Sequence, residues 1–208
     1  MTAFGYMAEL ARGSADWFAP TLLGLQPQVD ALLPYWLGAW VIQLTSALIP
    51  AHYAVRIPYL LLLALTLIAT WYGSYYLARS TKAQPVAFAF GGEANAPDYA
   101  RAIADGALLA LVACLGLAQL SHETTPAAAQ LGFSALAFYA IASLPYRLVA
   151  PSIGAAVGLV GLALSGAPTA AVLLGIGGAL IHWLDRDPDS SLRYLDGPAG
   201  SEPSRRIR

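Results

Sequence analysis

The chain has 208 residues, a formal net charge of −1, and 58% hydrophobic against 11% charged residues. Soluble domains carry roughly 25% charged residues, so this composition, with a mean hydropathy of +0.59, points to a protein built for a bilayer. The lack of a basic excess excludes nucleic acid as a partner, and the single cysteine, Cys114, excludes a disulfide framework or a cysteine-based zinc site.

At the N-terminus, MTAFGYMAEL has neither a basic leader nor a long apolar run, and Glu9 and Arg12 interrupt it early. It does not read as a signal peptide. Insertion is then driven by later segments, or the chain begins part-way through a longer protein. A short charged helix is expected first, with a break at Gly13, then an Asp16-Trp17 pair and a Pro/Gly/Gln-rich loop. Residues 33–49 carry no charge but include Tyr35, Trp36, Trp40, Gln43, Thr45 and Ser46. They are long enough to barely span, and their aromatic density fits an interfacial or re-entrant helix equally well.

From 57 to 78 the chain is uncharged and long enough to cross roughly 30 Å of hydrocarbon. Tyr59 sits near one end and Trp71, Tyr72, Tyr75 and Tyr76 near the other, as interfacial anchors. Further spans are expected at about 106–120, extended by the amphipathic turn YARAIAD, and at 127–144, 152–164 and 169–184. Gly154 and Gly158 form a small-xxx-small pair suited to close packing with a partner helix. The expected fold class is therefore all-α integral membrane, with about five transmembrane helices plus an outer-face helix.

Orientation follows from Lys and Arg. Arg79, Lys82 and Arg101 flank the 79–105 loop, Arg147 follows the third span, and Arg186 and Arg193 follow the fifth. The alternate turns, 121–126 and 165–168, contain neither residue. By the positive-inside rule the first set is cytoplasmic and the second lies across the membrane. Three regions result: 1–56 outside, 57–184 as the helical bundle, and a Pro/Gly/Ser-rich 185–208 as a disordered cytoplasmic tail. The 79–105 loop has a Gly-Gly turn but lacks the GxxxxGK[ST] phosphate-loop pattern, which argues against nucleotide binding.

Several pieces near the N-terminus occur in a distinctive order. They are Tyr6-Met7-Ala8-Glu9-Leu10, Gly13-Ser14-Ala15-Asp16-Trp17, Pro20 and Leu22, Leu33-Pro34-Tyr35-Trp36-Leu37-Gly38-Ala39-Trp40, and Ala54-Val55-Arg56-Ile57-Pro58 opening a long span. This ordered set resembles the first outer-face loop of GT-C-fold, polyprenyl-phosphate-sugar-dependent glycosyltransferases, among them the lipid A aminoarabinose transferases and bacterial protein O-mannosyltransferase-like enzymes. The resemblance covers roughly residues 5–80. It implies a multi-pass protein of the bacterial inner membrane that transfers a sugar from a polyprenyl-phosphate donor to a lipid or protein acceptor on the periplasmic face. Two features depart from the family. Its acidic Asp-Glu pair upstream of the first helix has no counterpart after Met1, and its Lys-Pro-Pro element is replaced by Asp30-Ala31-Leu32. The chain is also far shorter than a complete enzyme of that type, which favours a fragment or a truncated paralogue. A non-catalytic scaffold or lipid-binding accessory protein is the competing reading. A small transporter is a third, disfavoured by sparse intramembrane charge and the absence of an internal repeat.

Such transfer needs a carboxylate to activate the acceptor and cations or donors to hold the leaving phosphate. The resemblance selects Asp16 as the carboxylate, against an alternative as a turn or capping residue. Arg56, at the outer end of the first long span, offers a guanidinium fork for the phosphate or a snorkelling anchor. Tyr35 and Trp36 are the expected substrate-binding aromatics. His122 and Glu123, an ionisable pair in a short outer turn, are the second catalytic candidates. Glu123 alternatively serves the start of the helix near Pro126. A divalent metal at His122 and Glu123 would need further ligands, because two are too few.

Overall fold

The computed structural model describes residues 2–85, 94–114 and 123–184. Two compact units divide the chain, Met1–Gly175 and Ile176–Arg208. The described residues are helical with no strand: α1 (Thr2–Arg12), α2 (Leu33–Thr45), α3 (Ala51–Ala54), α4 (Arg56–Ala78), α5 (Ala96–Val112), α6 (Pro126–Ser143), α7 (Val149–Leu164) and α8 (Pro168–Leu184). A 3₁₀ turn, Thr81–Ala83, follows α4.

The first unit is organised around α6. It packs against α4 on one side and α7 on the other, while α5 lies along α4. Small residues allow the close approach. A Cβ on Gly158 of α7 would stand 2.8 Å from the Ala137 backbone nitrogen, and one on Gly132 would stand 3.3 Å from the Leu62 carbonyl oxygen. Gly154 and Gly158 thus both face α6 of the same chain. Hydroxyls in these apolar helices are satisfied locally. Thr66 donates to the Leu62 carbonyl at 2.7 Å and Ser143 to that of Tyr139 at 2.7 Å, the usual way to seat a hydroxyl where water is scarce.

α5 starts at Ala96, three positions before the amphipathic YARAIAD segment (99–105) expected to extend the second span, because Asn95 and Pro97 supply the helix start. Residues 115–120 of the expected second span lie outside the described residues, as does the 185–208 tail. The ambiguous segment 33–49 is helical only over Leu33–Thr45. At 1.5 Å per residue its 13 residues extend about 20 Å, against about 24 Å for the 16 residues of α7 and about 30 Å of bilayer hydrocarbon.

α1 lies on α2, with Tyr6, Met7 and Leu10 buried between them. It ends at Arg12 in a Schellman arrangement: Gly13 adopts φ +73°, its N–H donates to the Leu10 carbonyl, and the Ser14 N–H to that of Glu9. Gln43 of α2 donates to the Ala11 carbonyl at 3.1 Å, capping the same end. A core containing Tyr6, Met7, Leu10, Tyr35, Tyr59, Leu62, Phe133 and Leu162 links α1 and α2 to the bundle.

The two ends of the bundle differ. Where α4 and α6 finish, Trp71, Tyr72, Tyr75, Tyr76, Tyr139 and Tyr146 form a continuous ring network, with Trp71 and Tyr75 stacked at 5.5 Å and the Arg79 guanidinium 5.7 Å from the Tyr146 ring centre. Trp71 also donates its indole N–H to Asp105 of α5 at 2.8 Å. At the opposite end the 29–32 segment rests on the α7–α8 turn. The Leu32 N–H donates to the Leu164 carbonyl at 2.8 Å, and Gly166, at φ +88°, leaves no room for a Cβ beneath Val29 and Asp30.

Candidate functional site

The end formed by α1, α2 and the connecting loop gathers the most varied side chains. Trp36 and Trp40 lie one turn apart on α2 and therefore share a face. The chain leaving α1 crosses that face. Trp17 stacks on Trp40 at 6.4 Å, and Phe18 meets Trp36 edge-on at 5.9 Å. Trp36 fixes the crossing by donating its indole N–H to the Trp17 carbonyl at 2.7 Å. The result is an aromatic shelf of four rings, held by one directional bond.

Beside the shelf is a cleft of about 280 Å³ lined by Phe18, Pro20, Gln26, Pro27, Asp30 and Leu32, among others. Ligand pockets usually begin at about 300 Å³, so the cleft suits a single ring or a small head group. Its walls are mainly apolar, and Asp30 supplies its carboxylate. Asp30 is thus a site residue that sequence reasoning noted only as the replacement for a lysine. Its position just before Leu32, which is anchored to α7, is what turns it to the cleft, and no local pattern announces that.

Asp16 stands at the other foot of the same loop. Its Oδ1 accepts the Phe18 N–H at 3.0 Å, forming an Asx turn that starts the crossing over α2. The carboxylate is exposed and keeps free lone pairs. Glu9 does not join it: α1 ends at Arg12, and the Glu9 side chain accepts a hydrogen bond from Ser14 instead.

Trp36 belongs to the shelf, but Tyr35 does not. Tyr35 is buried in the core, 5.6 Å from the Tyr6 ring. Burial pushes its phenol above the usual range, with the Tyr6 ring and the Asp30 carboxylate adding to the shift. Arg56 opens α4 and is exposed, with no carboxylate paired to it among the described residues. It lies one turn before Tyr59, whose hydroxyl donates to the Pro34 carbonyl at 3.2 Å. That bond ties the start of α4 to the start of α2 and brings Arg56 to the cleft's end of the molecule. The His52 ring lies 4.2 Å from that of Tyr53, tilted by 44°. Val55 keeps helical dihedrals (φ −59°, ψ −27°), so His52 stands one turn before Arg56 in a continuous helical stretch.

Glu123 is exposed just ahead of α6, while His122 lies outside the described residues. Thr125, the residue preceding α6, makes no side-chain capping bond, and its hydroxyl is buried without a hydrogen-bond partner among the described residues. Nearby, Gln130 donates to the Ser165 carbonyl at 2.8 Å, joining α6 to the α7–α8 turn. Among the described residues, no group of three or more His, Cys, Asp or Glu is placed to hold a metal ion.

Comparisons with protein-family models, curated proteins and solved structures find no match.

Proposed function

We propose that the chain is a multi-pass protein of the bacterial inner membrane whose outer-face module handles a polyprenyl-phosphate sugar, as a glycosyltransferase or a truncated part of one. Two helical stretches, Ala51–Ala78 and Pro126–Ser143, are long and apolar enough to cross a bilayer, and Val149–Leu164 and Pro168–Leu184 are shorter apolar helices. With α5 they make the five spans of this reading. α2 is then an interfacial helix.

The observation that carries the reading is the aromatic shelf beside a cleft lined by Asp30, with Asp16 at the start of the loop that crosses the shelf. Indole faces stack well on the C–H face of a pyranose, and a carboxylate accepts from sugar hydroxyls while serving as a base toward an acceptor. Arg56, at the same end and without an ion-pair partner among the described residues, suits the departing polyprenyl phosphate.

The alternative, a lipid-binding accessory protein, is favoured by one observation. Asp16 is already committed to the Phe18 N–H and has a structural task without catalysis. The two readings separate in nanodiscs holding the full chain. Both predict that a polyprenyl phosphate binds more tightly than the neutral polyprenol and that Arg56→Ala abolishes the preference; equal binding by the variant overturns the phosphate clamp. Transfer of a labelled sugar from the polyprenyl-phosphate donor, lost in Asp16→Asn with binding retained, identifies the enzyme. Binding without transfer in the native chain identifies the accessory protein.

A further inference from the structure

The loop between the shelf and the cleft has a tip that the proposed chemistry does not use. Leu22 and Leu25 bond to each other reciprocally through their backbones at 2.9 and 3.0 Å, closing a two-residue turn over Leu23 and Gly24. Both turn residues have positive φ, +53° for Leu23 and +80° for Gly24. Such turns favour Asn-Gly or Gly-Gly, because a Cβ in the left-handed region meets the following carbonyl. A leucine stands there instead, and its side chain is 93% exposed, the highest value among the large hydrophobic residues described. Leu25 and Phe18 flank it at 71% and 77%. Among the described residues, Leu23 belongs neither to the core nor to the hydrophobics packed against it, so burial does not offset the unfavourable backbone.

Charge defines the medium this tip suits. Residues 17–29 carry no charged side chain, and carboxylates stand at both ends of the stretch, Asp16 and Asp30. The feet are hydrophilic and the tip is hydrocarbon. Trp40 and Leu44 of α2 and Leu48 in the turn beyond it are exposed as well. With both carboxylates at the base and none between them, the loop can enter acyl chains without carrying a charge there, which would be costly.

We propose that the 22–25 turn is a membrane finger, inserted into the acyl region of the outer leaflet, with Leu23 as its deepest side chain. The finger sets the height of the cleft: Phe18, Gln26 and Pro27, on its two flanks, line the mouth. Insertion brings that mouth level with the lipid, so an amphiphile with a long hydrocarbon tail reaches the cleft sideways from the leaflet. The proposal rests on the membrane reading above.

Depth-dependent quenching tests it in the full chain. With Cys114 replaced by serine, an environment-sensitive fluorophore is attached separately to Leu23→Cys, Gln28→Cys and Leu61→Cys. Leu61, on α4 and 67% exposed, reports the bundle. Each labelled protein is reconstituted into phosphatidylcholine–phosphatidylglycerol vesicles containing acyl-chain nitroxide lipids. The expected result is that the Leu23 and Leu61 probes shift to the blue, are quenched by nitroxide and resist aqueous iodide, whereas the Gln28 probe is quenched by iodide. Iodide quenching at Leu23 with nitroxide quenching at Leu61 overturns the finger and leaves the membrane reading standing. Iodide quenching at Leu61 overturns both. Protection of Leu23 from both quenchers means burial against protein, and also overturns the finger.

Discussion

Trp36 illustrates how much of the candidate site depends on single atoms. Its indole N–H is the donor that holds the Trp17 carbonyl, and its ring faces both Phe18 and Trp40. Replacing it with phenylalanine keeps an aromatic ring but leaves a partly buried carbonyl without its partner. A net loss of about 1 kcal/mol is expected for such a bond. Thermal unfolding of Trp36→Phe in detergent checks this, and the loss should be accompanied by weaker ligand binding at the cleft. A variant as stable as the native chain would mean that the crossing segment is held by ring stacking alone. Tyr35, its neighbour in sequence, shows the limit of reading a site from residue type. Both are aromatic residues in one LPYW element, yet the helix turns one to the core and the other to the shelf.

The helices were legible to different degrees, for physical reasons. α4 and α6 appear as uninterrupted apolar runs, and the expected bounds 57–78 and 127–144 fall within a residue or two of Arg56–Ala78 and Pro126–Ser143. α5 begins in polar sequence, and the amphipathic YARAIAD pattern carries the expected helix back to Tyr99, three residues short of its start at Ala96. Asn95 and Pro97 were the available signal. The 22–25 turn was not legible, since Leu-Gly lacks the residues that normally mark positive φ at both positions. Gly154 and Gly158 were recognised as a packing pair, but only the fold identifies α6 as what they pack on. Gly158→Val should therefore force α7 away from the Ala137 backbone, and overpacking of this kind costs about 1–3 kcal/mol. The same substitution at Gly177, where a Cβ would meet nothing within 4 Å, is the control. Equal unfolding temperatures for the two variants would contradict the tight α6–α7 contact.

Across the whole molecule, the two ends have distinct chemistries. One carries the Trp/Tyr network with Arg79; the other carries the shelf, the cleft and the 165–168 turn. The distribution of Lys and Arg assigns these ends to opposite sides of a membrane in the proposed reading. Single cysteines at Asp16 and at Thr169, in a Cys114→Ser background, are expected to react with an impermeant maleimide added to intact spheroplasts. A cysteine at Thr81 is expected to react only after lysis. Labelling of all three before lysis would refute the opposed orientation. The sites themselves were less legible than this polarity. Trp36 bonds to the residue after Asp16, whereas Asp30 lines the cleft two residues before Leu32, whose N–H is held by α7, far along the chain.

That contact has a chronological consequence. The seat for the 29–32 segment is built from Leu164 and Gly166, which leave the ribosome long after the segment itself. Local helices form early, whereas a non-local pairing must wait for its partner to exist. Until the α7–α8 hairpin has been synthesised, the Leu32 N–H lacks the carbonyl it will bond to. The N-terminal module, though made earlier, is completed only once the α7–α8 turn has been synthesised.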